Sequence, residues 1–488
     1  TAKVIGTAIS WDGAILSGSS TIAFEVVDLA GNTGNLSGMT GYVLYTTAPA
    51  LTVGGVSLSD DTGTSSSDLI TNEADQTISA TLSAGLSAGD GLYGSVDGGT
   101  SWQEITDKVI NQSILWDDVT LSGSNSIVFK VTDLAGNTGS LTGTSPYVLD
   151  QAAPTLTVSG VSLSVDSGSS SSDLVTNIAS QTIRGTLSGS LSAGDCLYGS
   201  VDGGTTWTDI TSKASATTIS WDGATLLGQN SVVFKLTDLA GNTGSETGRS
   251  GYLLDQVAPT LTVSGVSLSV DSGSSASDLI TNTASQTIYG TLSGPLATGD
   301  ILSGSVDGGT TWHNITNKVS VQSIQWDRVS LSGSSSIVFQ VTDLAGNTGT
   351  RTGTSSYVLD TTAPVLTVSS VSLSADTGTS STDRITKTAA QTISASLSAT
   401  LASGDILFGS VDGGLHWSDI TSKATGTTIR WDSATLSGTN TIAFQVTDLA
   451  GNTGNSTGNS LYVLDTTAPY VLSCLLYTSD AADEGLGV

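Results

Sequence analysis

Aspartates are the residues in this chain whose type and regular spacing could support metal binding. The chain has 43 Asp+Glu against 14 Lys+Arg and 2 His. Seven aspartate columns recur every 105 residues, and in one repeat they fall at 166, 173, 195, 202, 222, 238 and 255. No column supplies His or Cys, which excludes a structural zinc site. Oxygen ligands suit Ca²⁺, whereas in Asp-x-Gly turns the same carboxylates accept nearby backbone hydrogen bonds.

The sequence is one unit repeated. Asp-Leu-Ala-Gly-Asn-Thr-Gly begins at residues 28, 133, 238, 343 and 448. The same step of 105 residues places all nine tryptophans in two columns. This period exceeds the roughly 20 to 50 residues of solenoid repeats and indicates a domain that closes its own core.

The repeat predicts four complete modules joined by short linkers. They span 46–150, 151–255, 256–360 and 361–465, with a partial repeat at 1–45 and the start of another at 466–473. The linkers resemble Val-Leu-Asp-x-x-Ala-Pro, and their proline restricts the backbone, so we expect a semi-rigid rod. Residues 474–488 break the pattern and resemble a translated sequencing adapter, so we predict that they are not native and that the chain is part of something longer.

Each module is predicted to be all-β. In the second module, alternating segments predict strands at 155–164, 181–188, 196–201, 206–211, 217–220, 231–237 and 251–254. No segment predicts an amphipathic helix, and glycine-rich turns separate the strands. Seven short strands per module predict tandem immunoglobulin-like antiparallel β-sandwich domains, arranged as beads on a string.

Three motifs resemble those of tandem bacterial Ig-like repeats. They are Leu-Asp-Thr-Thr-Ala-Pro at 359–364, Asp-Thr-Gly-x-Ser-x-x-Asp at 376–383 and Thr-Asp-Leu-Ala-Gly-Asn at 342–347. The resemblance extends over residues 1–473. It implies a non-enzymatic stalk of a large secreted adhesin or biofilm-associated surface protein, which projects a distal binding domain for a receptor that the sequence does not identify.

The aspartates converge on the module junctions if the topology is Ig-like. The loop after the first strand then shares a pole with the exit linker, and the Asp-Leu-Ala-Gly-Asn loop of the next module approaches that linker from the other side. Calcium bound there would convert a bendable string into a rod. The predicted calcium ligands are Asp150, Asp166, Asp173, Asp238, Asn242, Asp255, Asp271, Asp278, Asp343, Asn347, Asp360, Asp376, Asp383, Asp448, Asn452 and Asp465. Tyr45 replaces the linker aspartate at the first junction, which removes one ligand there.

The main alternative is a carbohydrate-binding or sialidase-like protein. The Asp-box pattern Ser-x-Asp-x-Gly-x-Thr-Trp begins at Ser200, and related segments begin at Ser95, Ser305 and Ser410. In sialidase-like proteins this box stabilises a hairpin, and one box per module is too sparse for propeller blades. The arginines share no column, and no Ser/His/Asp set or metalloprotease spacing occurs. We therefore predict no enzymatic activity.

The large aromatic residues also have two interpretations. Trp102, Trp116, Phe129 and Tyr147 could form a carbohydrate-stacking platform. They are also the large residues available to fill the sandwich, so we predict that they are core. The histidines at 313 and 416 are expected to be exposed on hairpins. Assembly of modules into an extracellular filament is a third hypothesis.

Composition limits the partners. The formal net charge of −29 repels nucleic-acid phosphates and anionic membrane surfaces. No apolar stretch approaches the roughly 18 residues of a membrane-spanning helix. We expect the partners to be neighbouring repeats of the same chain, at an extracellular, cell-surface location. Cys196 stands where other repeats carry Gly or Ile, so we expect it to fill a small apolar site.

Overall fold

The computed structural model describes residues 3–35 and 37–470. These residues form β-strands and short 3₁₀ turns but no α-helix, and none of them lies in a helix with the length and hydropathy needed to cross a membrane. They divide into two compact units, one ending at Asp255 and the other beginning at Gln256. The predicted adapter segment, 474–488, lies outside the described residues, as does the end of 466–473.

The first unit contains the partial repeat and two complete modules. Strands of the partial repeat are β1 (Lys3–Ile5), β2 (Ala8–Ser10), β3 (Ser19–Phe24) and β4 (Ser37–Val43). Those of the first module are β5 (Val53–Leu58), β6 (Ile70–Thr71), β7 (Asp75–Leu82), β8 (Gly91–Ser95), β9 (Gln103–Glu104), β10 (Val109–Ile110), β11 (Ser113–Thr120), β12 (Ser124–Thr132) and β13 (Thr142–Leu149). Those of the second are β14 (Val158–Leu163), β15 (Val175–Thr176), β16 (Ser180–Leu187), β17 (Cys196–Ser200), β18 (Thr208–Asp209), β19 (Ala214–Ser215), β20 (Thr218–Thr225), β21 (Gln229–Thr237) and β22 (Thr247–Leu254).

The second unit repeats the pattern twice. Its first module has β23 (Val263–Leu268), β24 (Ile280–Thr281), β25 (Ser285–Leu292), β26 (Ile301–Ser305), β27 (His313–Asn314), β28 (Val319–Ser320), β29 (Ser323–Ser330), β30 (Ser334–Thr342) and β31 (Thr352–Leu359). Its second has β32 (Val368–Leu373), β33 (Ile385–Thr386), β34 (Ala390–Leu397), β35 (Ile406–Ser410), β36 (Ser418–Asp419), β37 (Ala424–Thr425), β38 (Thr428–Thr435), β39 (Thr439–Thr447) and β40 (Thr457–Leu464). One 3₁₀ turn per module lies at Thr106–Lys108, Thr211–Lys213, Thr316–Lys318 and Thr421–Lys423.

Each complete module is a sandwich of two sheets. In the first, the orders are β5-β7-β11-β10 and β6-β13-β12-β8-β9, and the other three modules keep the same arrangement. The pairs are antiparallel except β6 with β13. The predicted all-β sandwich is confirmed, with nine strands per module instead of seven. Sequence analysis missed β15 and β19 because two residues are too few to show alternation.

An aromatic pair fills the middle of each sandwich. Trp116 and Phe129 are 2% and 0% exposed, and their rings meet edge to face at 6.1 Å. The same Trp–Phe geometry recurs in the other three modules. Gly94 on β8 makes this possible, because a Cβ there would lie 2.5 Å from the Trp116 ring. The core therefore requires a glycine beneath its tryptophan.

One of the tryptophan positions predicted to lie in the core lies outside the core. Trp116, Phe129 and Tyr147 are buried, but Trp102 is only half-buried on the outer face of the five-stranded sheet. Its equivalents Trp207, Trp312 and Trp417 are half-buried as well. The prediction of a core role for Trp102 is therefore wrong, since this residue lies on the hairpin before β9, where no alternation indicates which way it faces.

We predict that Gly94→Ala destabilises the first module by about 1–3 kcal/mol, because the added methyl group overpacks against the indole. Hydrogen exchange of the β8 and β12 amides in the full chain measures this change. Gly54→Ala is the matched control, since its Cβ meets nothing within 4 Å. Equal destabilisation by the two variants would show that the Trp116 contact does not constrain the core.

Candidate functional site

Each Asp-Leu-Ala-Gly-Asn segment folds into a closed loop, which we term the DLAGN loop (133–137, 238–242, 343–347 and 448–452). In the second module, the Asn242 backbone N–H donates to Asp238 Oδ1 at 2.9 Å, and Asn242 Nδ2 donates to Asp238 Oδ2 at 2.9 Å. The Asp238 N–H donates to the Asn242 carbonyl at 3.0 Å. In the first module, the Asn137 side chain makes the equivalent bond to Asp133 Oδ2, and this bond lowers the pKa of Asp133. Both carboxylate oxygens are therefore used within the loop.

The DLAGN loop also holds the linker that enters its module. Asn242 Nδ2 donates to the Asp150 carbonyl at 2.8 Å, and Asn452 Nδ2 donates to the Asp360 carbonyl at 2.8 Å. Asn137 Nδ2 bonds the Tyr45 carbonyl at 2.9 Å. Because the acceptor is a backbone oxygen, Tyr45 in place of aspartate leaves this contact intact.

The last glycine of the motif makes room for the linker proline. A Cβ at Gly244 would lie 2.4 Å from the Pro154 carbonyl oxygen. Gly454 faces Pro364 at the same distance. Any larger residue would displace the linker from its own module.

A pair of aspartates organises the loop after the first strand of each module, and we term residues 61–68, 166–173, 271–278 and 376–383 the acidic loops. Asp166 Oδ2 accepts the Leu174 N–H at 3.0 Å, and Asp173 Oδ1 accepts the Val175 N–H at 3.1 Å. Leu174 has a φ of 60°, which is the left-handed conformation that disfavours non-glycine residues. The acidic loop is thus held in a strained conformation around its carboxylates.

One carboxylate oxygen in each acidic loop is buried without a hydrogen-bond partner. It is Oδ1 of Asp61, Asp166, Asp271 and Asp376. Burial raises the pKa of Asp166 above its ordinary value, and the charge of Asp173 contributes to the rise. A buried carboxylate oxygen with open lone pairs, beside a second carboxylate, fits a hard cation such as Ca²⁺.

Within each unit, the acidic loop of one complete module meets the DLAGN loop of the next through a side-chain hydroxyl and backbone atoms. In the first unit, Thr62 Oγ1 donates to the Ala240 carbonyl at 2.6 Å. A Cβ on the neighbouring Gly63 would lie 2.0 Å from the Leu239 carbonyl oxygen. In the second unit, Ser272 Oγ donates to the Ala450 carbonyl at the same 2.6 Å. Sequence analysis missed this hydroxyl, although Asp-Ser/Thr-Gly in every module was a signal for it.

The predicted calcium ligands fall into separate settings. The acidic-loop pairs are Asp166 with Asp173, Asp271 with Asp278, and Asp376 with Asp383; the DLAGN pairs are Asp238 with Asn242, Asp343 with Asn347, and Asp448 with Asn452. In the linkers, Asp150, Asp360 and Asp465 each accept the N–H two residues ahead. The Asp255 N–H donates to the Thr176 carbonyl at 3.0 Å.

These settings do not combine into one carboxylate cluster. Within residues 3–35 and 37–470, no group of three or more Asp, Glu, His or Cys side chains is arranged to hold a metal. The two-module ligand set expected from the topology therefore remains a prediction. Calcium binding stays a prediction, and the acidic loop is the part of the predicted set where a buried carboxylate oxygen remains open.

The Asp-box is a self-contained hairpin. Asp202 Oδ1 accepts the Ser200 hydroxyl at 2.7 Å and the Thr206 N–H at 2.8 Å, and Asp202 Oδ2 accepts the Thr206 hydroxyl at 2.5 Å. The Thr206 and Ser200 bonds lower the pKa of Asp202 to about 2. In the last module, the exposed His416 ring takes the place of the Thr206 hydroxyl, at 2.6 Å from Asp412. The carboxylate holds its own turn, as expected for a structural Asp-box.

Lysines cover the outer tryptophans in the first two modules. Lys130 Nζ lies 4.1 Å from the Trp102 ring centre and 5.5 Å from that of Tyr93. Lys235 lies 4.3 Å from the Trp207 ring centre. Such cation–π contacts occupy the ring faces on which a sugar would stack. The lysines therefore compete with any carbohydrate for this surface.

A family model described as "Bacterial Ig-like domain" matches residues 362–466. This match spans the fourth complete module. The other complete modules carry the same motifs at the 105-residue step. The search of curated proteins gave no significant match.

Solved structures of tandem immunoglobulin domains are among those similar to this Ig-like chain. Sidekick-1 immunoglobulin domains 1–5 are 9% identical, with 80% of this chain and 85% of that chain covered and a TM-score of 0.19. Sidekick-1 domains 1–4 are 10% identical, with 84% and 99% covered and a TM-score of 0.20. SGBP-B of the Bacteroides ovatus mixed-linkage glucan utilization locus, in complex with mixed-linkage heptasaccharide, is 14% identical, with 81% and 92% covered and a TM-score of 0.14.

We predict that the hairpin of the second Ig-like module resists acid until the pH is well below 4. The folded-state pKa of Asp202, about 2, lies below the ordinary 3.8, so its stabilisation is complete above the ordinary pKa and is lost as the pH falls towards about 2. Hydrogen exchange at the Thr206 amide across this range measures the loss. Asp202→Asn should remove the acid-dependent step at this hairpin and leave the hairpin at 305–312 unchanged; a loss already complete at about pH 5 would contradict this assignment.

Proposed function

We propose that the chain is a structural spacer in a bacterial surface protein, where it projects a distal binding domain for cell adhesion or biofilm formation. The observation that carries this proposal is the repetition of a self-contained sandwich on a hydrogen-bonded linker. Each complete module has its own hydrophobic core around a Trp–Phe pair, so its core does not depend on residues of another module. Asn242 and Gly244 hold the linker against the module, which suits a spacer that must keep its modules apart and in register.

The non-catalytic part of the proposal is supported by how the polar groups are used. The Asp-box carboxylates accept hydrogen bonds within their own hairpins, and the DLAGN carboxylates accept hydrogen bonds within their own loops. Each Lys–Asp ion pair, such as Lys213 with Asp222 at 2.6 Å, joins the 3₁₀ turn of a module to the following long strand, which is β20 in the second module. These hydrogen bonds and ion pairs stabilise the fold of the module in which they lie.

We also propose that calcium stiffens the spacer by binding at the acidic loops. Asp166 and Asp173 would hold the ion, with the buried Oδ1 of Asp166 as the main ligand. The ion would supply the positive charge that compensates the buried carboxylate. Because the folded-state pKa of Asp166 is raised, its ionisation without a cation costs stability as the pH rises through the window above 3.8, and calcium would remove that cost.

The spacer proposal predicts that reach depends on the number of modules. The chain is displayed between a cell anchor and a fused binding domain, and adhesion to ligand-coated beads is measured with and without residues 256–360. We expect adhesion to fall when this module is removed, while the affinity of the fused domain for free ligand stays the same. Equal adhesion with either length, or adhesion by the chain without its fused domain, would contradict a spacer role.

The calcium proposal predicts a rise in thermal stability that chelator reverses. With free calcium about 100-fold above the Kd, a single site adds about 2.7 kcal/mol to the free energy of unfolding. Calorimetric titration of the full chain should lose one site in the double variant Asp166→Asn and Asp173→Asn. Affinity should also weaken as the pH is lowered towards the raised pKa, because protons compete for Asp166.

Asp195→Asn is the matched control for calcium binding. Asp195 Oδ2 accepts the Ser192 N–H at 2.9 Å in a turn of the same module, so this variant removes the same charge outside the acidic loop. Its calcium stoichiometry should equal that of the unmodified chain. Equal losses in both variants would mean that calcium responds to net charge alone, and the absence of any calcium-dependent signal would remove the calcium proposal while leaving the spacer proposal in place.

A further inference from the structure

The surface between the first and second modules is built from backbone and small side chains. The Ala240 carbonyl accepts the Thr62 hydroxyl, and Ala240 itself is 1% exposed. A Cβ at Gly241 would lie 2.9 Å from the backbone nitrogen of Gly63. Two glycines thus face each other at a separation that leaves no room for a side chain on either.

The same motif without such a neighbour has an open surface. In the first module, the DLAGN residues Leu134, Ala135 and Gly136 are exposed, and a Cβ at Gly136 would meet nothing within 4 Å. The φ of Gly136, 91°, differs by only 2° from the φ of Gly241, 93°. The DLAGN loop therefore adopts the same conformation with and without the neighbouring module. The contact with the neighbouring module accounts for the burial of Ala240.

The acidic loop, in contrast, changes conformation with the contact. Gly63 and Gly273, which face a DLAGN loop, have φ of 94° and 98°. Gly378 has the same Asp-Thr-Gly sequence as Gly63, does not face such a loop, and has no positive φ. The DLAGN loop is a preformed element, and the Thr-Gly segment adapts to it.

We propose that the DLAGN loop is a recognition element that, within each unit, fixes the last complete module to the complete module before it without metal. Its partner surface is the Ser/Thr-Gly segment of the preceding acidic loop together with the linker carbonyl. The pair Ser272 and Ala450 in the second unit repeats the pair Thr62 and Ala240, so the second contact is independent of the first. The inference goes beyond the spacer proposal, because it requires neither a surface location nor calcium.

The chemistry of the loop explains why no cation is needed there. Both oxygens of Asp238 are occupied by Asn242, and the second proton of the Asn242 amide reaches the Asp150 carbonyl. The remaining contacts are a hydroxyl on a carbonyl and a close approach of two glycines. Every charged group in the loop is satisfied within the protein, so chelation should leave the junction in place.

The test measures the distance distribution across one junction of the full chain in excess chelator. Spin labels are placed by Ser122→Cys and Leu227→Cys, two exposed and equivalent positions in successive modules, after Cys196→Ile and Cys474→Ser. We expect a narrow distribution in this chain. Gly241→Ala should broaden it at least twofold, because its methyl group separates the two glycines.

Gly136→Ala is the matched control, because it places the same strained alanine in the same motif where no neighbour is close. It should leave the distribution narrow. Thr62→Val is a second variant, which keeps the side-chain shape but removes the hydroxyl that donates to the Ala240 carbonyl and accepts the Asn72 N–H, and it should also broaden the distribution. Hydrogen exchange of the β7 and β21 amides verifies that the first and second modules stay folded in each variant.

Two outcomes would overturn the inference. If chelator alone broadens the distance distribution as much as Gly241→Ala does, the junction depends on metal. A narrow distribution in both Gly241→Ala and Thr62→Val would show that the loop contact does not set the junction. The first outcome would favour the calcium proposal, because it would place a metal at this junction, whereas the second outcome does not bear on whether calcium binds the acidic loops.

Discussion

In the first, second and fourth complete modules, a single asparagine amide connects the DLAGN loop to the linker that enters the module. The two protons of Asn242 Nδ2 go to the carboxylate of Asp238 and to the carbonyl of Asp150. Aspartate at this position could not donate either bond. Once the amide is fixed, the linker lies against its own module, and the carbonyl of Ala240 is presented to the Thr62 hydroxyl. The junction depends on this one planar group.

Close packing requires glycine at three kinds of position in this protein. Gly94 lies beneath Trp116, Gly244 lies beneath the linker proline, and Gly63 lies against the next module. In each case a methyl group would enter space already filled by an indole or a backbone carbonyl. At these positions glycine permits a close contact, in the core, at the linker and between modules.

The aspartates look alike in the sequence but have different tasks in the fold. Asp202 holds a hairpin turn, and Asp238 closes the DLAGN loop. Asp166 differs because one of its oxygens is buried and has no hydrogen-bond partner, which raises its pKa, whereas hydrogen bonds lower that of Asp202. The repeat shows which aspartate positions recur. The hydrogen-bond donors to each carboxylate oxygen then distinguish an aspartate that holds a turn from one that is a candidate ligand.

The sequence by itself determined the module, its period and its all-β character, because alternation and turn residues are local signals that the 105-residue repeat multiplies. It also indicated the structural role of the Asp-box. Three features were decided only by the tertiary structure: the outward position of Trp102, the separation of the predicted calcium ligands, and the contact of Thr62 with Ala240. Each depends on atoms far apart in the chain, and Thr62 and Ala240 lie in different modules, so no local pattern records how they meet.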